Sequence, residues 1–286
     1  AMVRKCSKAR DAATFFERLA LWLVLVALPL GDAIGTRHDA RACTGDNPQL
    51  TTSPPPWVGS TAGRSEDVLP PWTPVEVSEN RVQVWGRTYT LGDFGLPVSV
   101  VARDRELLAG SVVLRGASLG KPCEWQQKDL TLKEQSPARA LFISHALTEQ
   151  VACESSTLIE YDGMLRCDLR IVPLREDVVL DELVLEIPLQ AAHAKCLHFW
   201  PGKWGSVFNS RSLPAEGFRS GFKPFLWLGD EWRGLAWFAE SDRNILGVPA
   251  DQVLEAQPRG SQVVVVIHLV GASFALREPL EYTFGL

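Results

Sequence analysis

The sequence predicts an all-β protein built as an antiparallel β-sandwich. Short runs rich in β-branched, aromatic and aliphatic residues recur from Arg81 to Val270, and turn residues separate them. Helical periodicity is almost absent, apart from Asp251–Ala256, where one or two helical turns are expected, and no strand–helix alternation occurs. A hydrophobic content of 46% in 286 residues is enough for a continuous core.

The first 35 residues have the pattern of a secretion signal. Five basic residues between Arg4 and Arg18 precede an apolar run of 12 residues, Leu19–Leu30, and small residues follow at Ala33 and Gly35. A membrane-spanning helix needs about 20 apolar residues, so a cleaved signal peptide is favoured over an anchor. We therefore expect an exported protein (extracellular, periplasmic or at the cell surface) that contacts a membrane only if residues 1–35 stay uncleaved.

A linker is expected over residues 36–73, ahead of a sandwich over residues 74–286. Between Gly45 and Pro74 the composition shifts to Pro, Ser, Thr and Gly, which buries little surface and behaves as a semi-rigid spacer. Within the sandwich, β signals occupy Arg81–Tyr89, Val98–Ala102, Ser111–Arg115, Arg139–Ala146, Gln150–Tyr161, Met164–Pro173, Val178–Ile187, Phe225–Leu228, Leu235–Ala239 and Gln262–Val270.

The strand register of one hairpin can be predicted from the sequence. A three-residue loop, Tyr161–Gly163 with its glycine left-handed, places Ile159 opposite Leu165 and Glu154 opposite Arg170. The mainly apolar residues then share one face. A two-residue loop would instead set glutamates against apolar partners, and it is rejected for that reason.

The cysteine spacing argues against a zinc site and leaves at least one thiol free. Loss of Cys6 with the signal would leave five cysteines, an odd number, and no Cys-x-x-Cys pair is present. In the predicted hairpin, Cys167 lies about 13 Å along the strand from the partner of Cys153, whereas a disulfide needs Cα atoms within about 7 Å. Cys153 and Cys167 are therefore predicted to be core thiols.

Two patterns that resemble catalytic sites are interpreted as structural. Asp230–Glu231, with Glu240 and Asp242 nearby, could supply the two carboxylates of a glycosidase, but neighbours in a turn or strand diverge, and a solvated turn has no means of raising a carboxyl pKa. Gly116–Gly120 fits the Gly-x-Ser-x-Gly pattern, yet Lys121-Pro122-Cys123 does not open the helix that a nucleophile elbow requires. No catalytic residue is predicted.

Two groups of residues are candidates for binding: histidines and a cysteine for a metal, and three tryptophans for sugar rings. The spacing of His193, Cys196 and His198 matches no recognised ligand pattern, so neither a metal nor another cofactor is expected. Trp200, Trp204 and Trp232 are candidates for stacking on sugar rings, because flat rings in loops suit that contact. Burial in the core is the competing interpretation, since tryptophan is mostly buried on average.

Three blocks of sequence carry a family resemblance: Phe222–Asp242, Pro71–Val75 and Val84–Pro97. Together they resemble the N-terminal β domain that precedes the catalytic barrel in glycoside hydrolase family 123. The resemblance implies an adjacent Asp-Glu pair on that barrel, and neither Asp230–Glu231 nor Asp181–Glu182 matches its context. It also implies that relatives continue from Leu280–Leu286 into the barrel, which this chain does not include.

The sequence is compatible with three functions, of which an accessory domain is preferred. The chain is expected to be the non-catalytic N-terminal accessory domain of an exported family 123-like glycoside hydrolase, packing on the barrel or shaping its substrate entrance. A free-standing carbohydrate-binding module and a self-contained glycosidase using turn carboxylates are the alternatives. Uncovered apolar surface near the C-terminus would favour the first, an exposed tryptophan platform the second, and a cleft with convergent carboxylates the third. Glycans are possible partners, and a net charge of -5 with dispersed basic residues argues against nucleic acid.

Overall fold

The structure is a computed structural model that describes residues 57–63, 65–202 and 209–286. Ser65–Leu286 form one compact unit that contains every described strand. The predicted signal peptide and most of the predicted linker lie outside the described residues, so both stay predictions. Within the described ranges, no helix is long and apolar enough to cross a membrane.

The described chain is a succession of β-strands with two short 3-10 turns, Asp93–Gly95 and Ala191–His193. Its first half contains β1 (Glu76–Ser78), β2 (Arg81–Val84), β3 (Arg87–Leu91), β4 (Pro97–Ala102), β5 (Arg105–Glu106), β6 (Val113–Ser118), β7 (Lys121–Pro122), β8 (Gln126–Gln135), β9 (Arg139–Leu147), β10 (Val151–Glu160) and β11 (Leu165–Pro173). Its second half contains β12 (Val179–Leu180), β13 (Glu182–Gln190), β14 (Cys196–Trp200), β15 (Ser210–Ser212), β16 (Phe218–Ser220), β17 (Phe225–Gly229), β18 (Gly234–Ala239), β19 (Leu254–Arg259), β20 (Gln262–Val270), β21 (Phe274–Ala275) and β22 (Leu280–Gly285).

Two large antiparallel sheets form the sandwich, as the sequence predicted. The larger has nine strands in the order β15-β14-β17-β18-β22-β11-β10-β9-β8, and the smaller has six in the order β16-β19-β20-β13-β6-β7. The strands β1 to β5 form a separate meander, and β12 pairs with β21. Both large sheets contribute to the main hydrophobic core, whose members alternate with half-buried residues along β10 and the second half of β13.

The predicted hairpin has the predicted register. Ile159 pairs with Leu165 and Glu154 pairs with Arg170, while Gly163 is left-handed with φ +86°. Cys153 and Cys167 are completely buried and carry free thiols, as expected. The length of the Tyr161–Gly163 loop determines every residue pair between β10 and β11. The register of these two strands therefore follows from local turn chemistry.

The Asp93–Gly95 turn, part of one resemblance block, joins the meander to the nine-stranded sheet. The hydroxyl of Ser155 donates to the carbonyl of Phe94 at 2.7 Å, and both residues are buried. Gly95 has φ +67°, and a Cβ there would overlap the hydroxyl of Thr157. A glycine is therefore required at this position, both for its backbone angle and for the close approach.

Two elements differ from the sequence prediction. The prediction of helical turns over Asp251–Ala256 is wrong, because the strand β19 begins at Leu254 and pairs with both β16 and β20. The polar segment Gln126–Gln135 shows no strand pattern in the sequence, yet it forms the ten-residue edge strand β8. Polar and charged residues are what a sheet edge needs to discourage further pairing, so the absence of an apolar pattern was misleading.

Candidate functional site

The turn between β17 and β18 brings Asp230 and His193 together. Oδ1 of Asp230 accepts hydrogen bonds from the backbone N–H groups of Trp232 and Arg233 at 2.7 and 2.9 Å. Oδ2 lies 2.7 Å from Nδ1 of His193, which the Ala191–His193 turn places against β17 and β18. Burial by itself would raise the pKa of Asp230, but the three hydrogen bonds outweigh it and the pKa is lowered.

Asp230 is therefore not the solvated residue that the sequence suggested. Its side chain is 14% exposed and that of His193 is 18% exposed, while Glu231 and Trp232 are on the surface. Gly229 and Gly234 flank the turn, and a Cβ on either would overlap the indole of Trp227. The glycines let this buried indole pack against the turn, which fixes the backbone that holds Asp230.

The second Asp-Glu pair is held in the same manner. Oδ2 of Asp181 accepts from the backbone N–H of Gly120 at 2.6 Å, and Oδ1 accepts from the hydroxyl of Ser273 at 2.7 Å. These two hydrogen bonds, the backbone one first, lower the pKa of Asp181. Both aspartates thus stay ionised and connect loops, which is the opposite of what a general acid needs.

The Gly-x-Ser-x-Gly segment forms part of an ordinary hairpin. Ser118 is 7% exposed and donates its hydroxyl hydrogen to the carbonyl of Val179 at 2.5 Å. The residues after it turn at Leu119–Gly120 into β7, which pairs back onto β6. With its hydroxyl committed and no helix following, Ser118 lacks the exposed geometry of a nucleophile.

The histidines and Cys196 do not converge on a metal. Cys196 and His198 lie two residues apart on β14, whereas His193 lies on the preceding 3-10 turn against Asp230. Nδ1 of His198 lies 2.6 Å from the hydroxyl of Ser210, and burial lowers the pKa of this histidine. Among the described residues, no group of three or more potential ligands could hold a metal ion.

The candidate tryptophans lie apart. Trp232 is 76% exposed in the turn after β17, and Trp200 is 40% exposed at the end of β14. Cys196 pairs with Gly229 and Trp200 pairs with Phe225, so the two indoles lie at opposite ends of a strand pair that is about 13 Å long, with Trp232 in the turn beyond Gly229. They do not form a continuous platform. Trp204 lies outside the described residues, and its role stays a prediction.

A cavity that the sequence did not indicate lies between the two sheets where β18 and β22 separate. Its volume is about 190 Å³, and its lining includes Trp237, Phe222 and Tyr282 together with Glu240 and Arg243. No local motif marks it, because its walls come from strands far apart in the chain. A tryptophan followed three residues later by a polar turn, as in Trp237 and Glu240–Asp242, is the sequence signal that such a cavity leaves.

The comparisons with known proteins identify the family. The sequence model described as "Glycoside hydrolase 123, third domain" matches residues 75–237, which is more than half of the chain. The chain belongs to this family. The match begins just before β1 and ends within β18, so it spans the meander and most of the sandwich. The resemblance to family 123 is thereby confirmed, while the position of the domain relative to a barrel stays an expectation.

The other comparisons add little to this family assignment. No curated protein matches the chain. Among solved structures, the crystal structure of the Slr1438 protein from Synechocystis sp. PCC 6803 is similar at 10% identity, with 78% of this chain and 96% of that chain covered and a TM-score of 0.42.

Proposed function

We propose that this chain is a non-catalytic accessory domain of an exported family 123-like glycoside hydrolase. In this proposal it packs on a catalytic barrel outside the chain, or shapes the substrate entrance of that barrel. The observation that carries it is the family match over residues 75–237, which assigns the sandwich to a named domain of these enzymes. The basic start and apolar run of the first 35 residues support the exported location.

The lowered pKa values of the two aspartates support an accessory role over an independent enzyme. Glycoside hydrolysis commonly uses two carboxyl groups flanking the scissile bond, one of them protonated. The aspartates of both Asp-Glu pairs have lowered pKa values and connect loops by hydrogen bonds. Glu160 is a described carboxyl whose pKa is raised, first by burial and then by Asp162, but it lies at the end of β10 among Arg139, Arg166 and other surface charges.

Association with a barrel tests the proposal directly. The purified chain and a separately produced family 123 catalytic barrel should form a complex in sedimentation velocity, and the complex should have a different KM from the barrel alone. A barrel whose KM and sedimentation are both unchanged by an excess of this chain would contradict the proposal. A β-sandwich of unrelated family and similar mass is the matched control.

Exposed tryptophan favours a second candidate, a carbohydrate-binding module. Trp232 presents most of its indole to solvent. Uncovered apolar surface near the C-terminus would favour packing on a barrel, but in the described chain no large hydrophobic residue after Trp232 is strongly exposed. Affinity electrophoresis in soluble polysaccharides distinguishes the two. Retardation of the wild-type chain that Trp232→Ala abolishes would support a binding module, and unchanged mobility in each polysaccharide would count against it.

A further inference from the structure

The cavity between the sheets exists because one strand leaves the ladder early. The strands β18 and β22 pair at Phe238–Gly285 and Ala239–Phe284 alone, whereas β22 continues to pair with β11 as far as Leu280. Beyond Ala239 the chain turns away through Glu240–Asp242, so this side of β22 loses its strand neighbour. The gap opens from the surface toward the interior of the sandwich.

The walls of the cavity combine an apolar interior with a polar rim. Leu185 and Leu269 line it from the six-stranded sheet, and Phe222 meets Trp237 edge-on with ring centroids 6.2 Å apart. At the rim, Glu240 and Arg243 are exposed, and neither takes part in an ion pair among the described residues. Apolar walls with a few polar groups at one side are the usual composition of a small-molecule site.

Trp237 provides a second, independent observation. Its side chain is 4% exposed, and its indole Nε1 is buried without a hydrogen-bond partner. A buried N–H group without an acceptor is unfavourable and uncommon in native proteins. Trp237 also lines a neighbouring cavity of about 10 Å³ whose walls are aliphatic, which is too small for a ligand and offers no acceptor. Trp237 lines both cavities, and the 190 Å³ cavity is the one with room for a molecule that carries an acceptor.

Size and chemistry together select the ligand class. A cavity of about 150 Å³ holds one benzene molecule, so 190 Å³ accommodates one six-membered ring with small substituents. The ligand needs an oxygen that accepts from Trp237 and a hydroxyl group that donates to Glu240, because Glu281 is already paired with Arg170 at 3.5 Å. It also needs an apolar face for Phe222 and the aliphatic wall.

We propose that this cavity binds a single pyranose ring, either a free monosaccharide or the terminal unit of a glycan. A pyranose has the required size, an apolar C–H face and hydroxyl groups that both donate and accept. The inference goes beyond the proposed accessory role, which needs no ligand on this domain. The cavity is also separate from the exposed Trp232. Trp232 lies at the Gly229–Gly234 end of β17 and β18, whereas the cavity lies beyond Ala239.

The indole N–H resonances of the full ¹⁵N-labelled chain give a direct readout. Trp237→Phe identifies the Trp237 resonance by its absence. The probes are the methyl glycosides of galactose, glucose, mannose, N-acetylglucosamine and N-acetylgalactosamine, with cyclohexanol and L-proline as ring-shaped controls. We expect at least one glycoside to shift the Trp237 resonance with a Kd near the millimolar range, and the controls to leave it unchanged.

Two further variants keep the test decisive if Trp237→Phe fails to fold. Glu240→Gln should weaken glycoside binding about fivefold, because a neutral amide oxygen replaces the charged acceptor, and Trp232→Phe should leave binding unchanged. The proposal is overturned if no glycoside moves the Trp237 resonance, if cyclohexanol or L-proline moves it equally, or if Trp232→Phe removes the binding. Failure of barrel association would leave these spectra unaffected, so the two proposals fail separately.

Discussion

Replacing Asp230 with alanine should destabilise the domain by about 2 kcal/mol. The change removes the acceptor of two backbone N–H groups and of His193, at 2.7 to 2.9 Å. Hydrogen bonds to charged groups contribute about 1.5–3 kcal/mol each, but water can replace the carboxylate at the exposed Trp232 N–H, so about one such bond is lost in full. For a domain of this size, 2 kcal/mol lowers Tm by about 4–8 °C.

The pH dependence of that difference tests its electrostatic origin. The pKa of Asp230 is lowered in the folded protein relative to its ordinary value of 3.8. Its contribution is therefore complete above pH 3.8 and is lost as the pH falls from there through the folded pKa. In urea titrations at 25 °C, the free-energy difference between wild type and Asp230→Ala should be smaller below pH 3.8 than above it.

Glu231→Gln is the matched control for this prediction. Glu231 is exposed on the same turn, and surface charges contribute about 0–1 kcal/mol. Equal destabilisation by the two variants, or a difference for Asp230→Ala that persists unchanged below pH 3.8, would refute the account of the turn.

The other predictions concern the core, the thiols and the N-terminus. Trp227→Ala should cost about 3–5 kcal/mol in urea unfolding, whereas Trp232→Ala on the exposed turn should cost less than about 0.5 kcal/mol; similar losses would contradict the burial of Trp227. Burial raises the pKa of Cys153 and raises that of Cys167 to about 12, so neither thiol should be alkylated by iodoacetamide at pH 8 before denaturation, as peptide mass spectrometry can show. N-terminal sequencing of secreted protein should give a start near residue 36, and an intact N-terminus recovered in membranes would indicate an anchor.

The parts of the fold that depend on local chemistry were predictable from sequence. The Tyr161–Gly163 loop determines the β10–β11 register because a left-handed glycine and alternating apolar residues leave one consistent pairing. The strand β19 was misassigned because its partners β16 and β20, rather than its own residues, determine its conformation. Tertiary pairing overrides weak helical periodicity in such short segments.

The candidate sites depended on contacts that sequence does not reveal. Asp230 was placed in solvent because its neighbours are polar, whereas the contact that shields it comes from His193, 37 positions away. The cavity likewise requires β22 to lie beside β18, and no local pattern predicts that neighbour. The separation of Trp200 from Trp232 follows from the β14–β17 register, which was also not predictable.

The most direct test of the central claim is a hydrolysis assay on the purified 286-residue chain. The substrates are aryl β-N-acetylgalactosaminides, the class implied by the family resemblance, with and without an added family 123 catalytic barrel. The accessory-domain account predicts no turnover by the chain alone and turnover once the barrel is present. Turnover by the chain alone that Asp230→Asn or Glu231→Gln abolishes without unfolding the protein would contradict it, and would make Asp230 and Glu231 the leading catalytic pair.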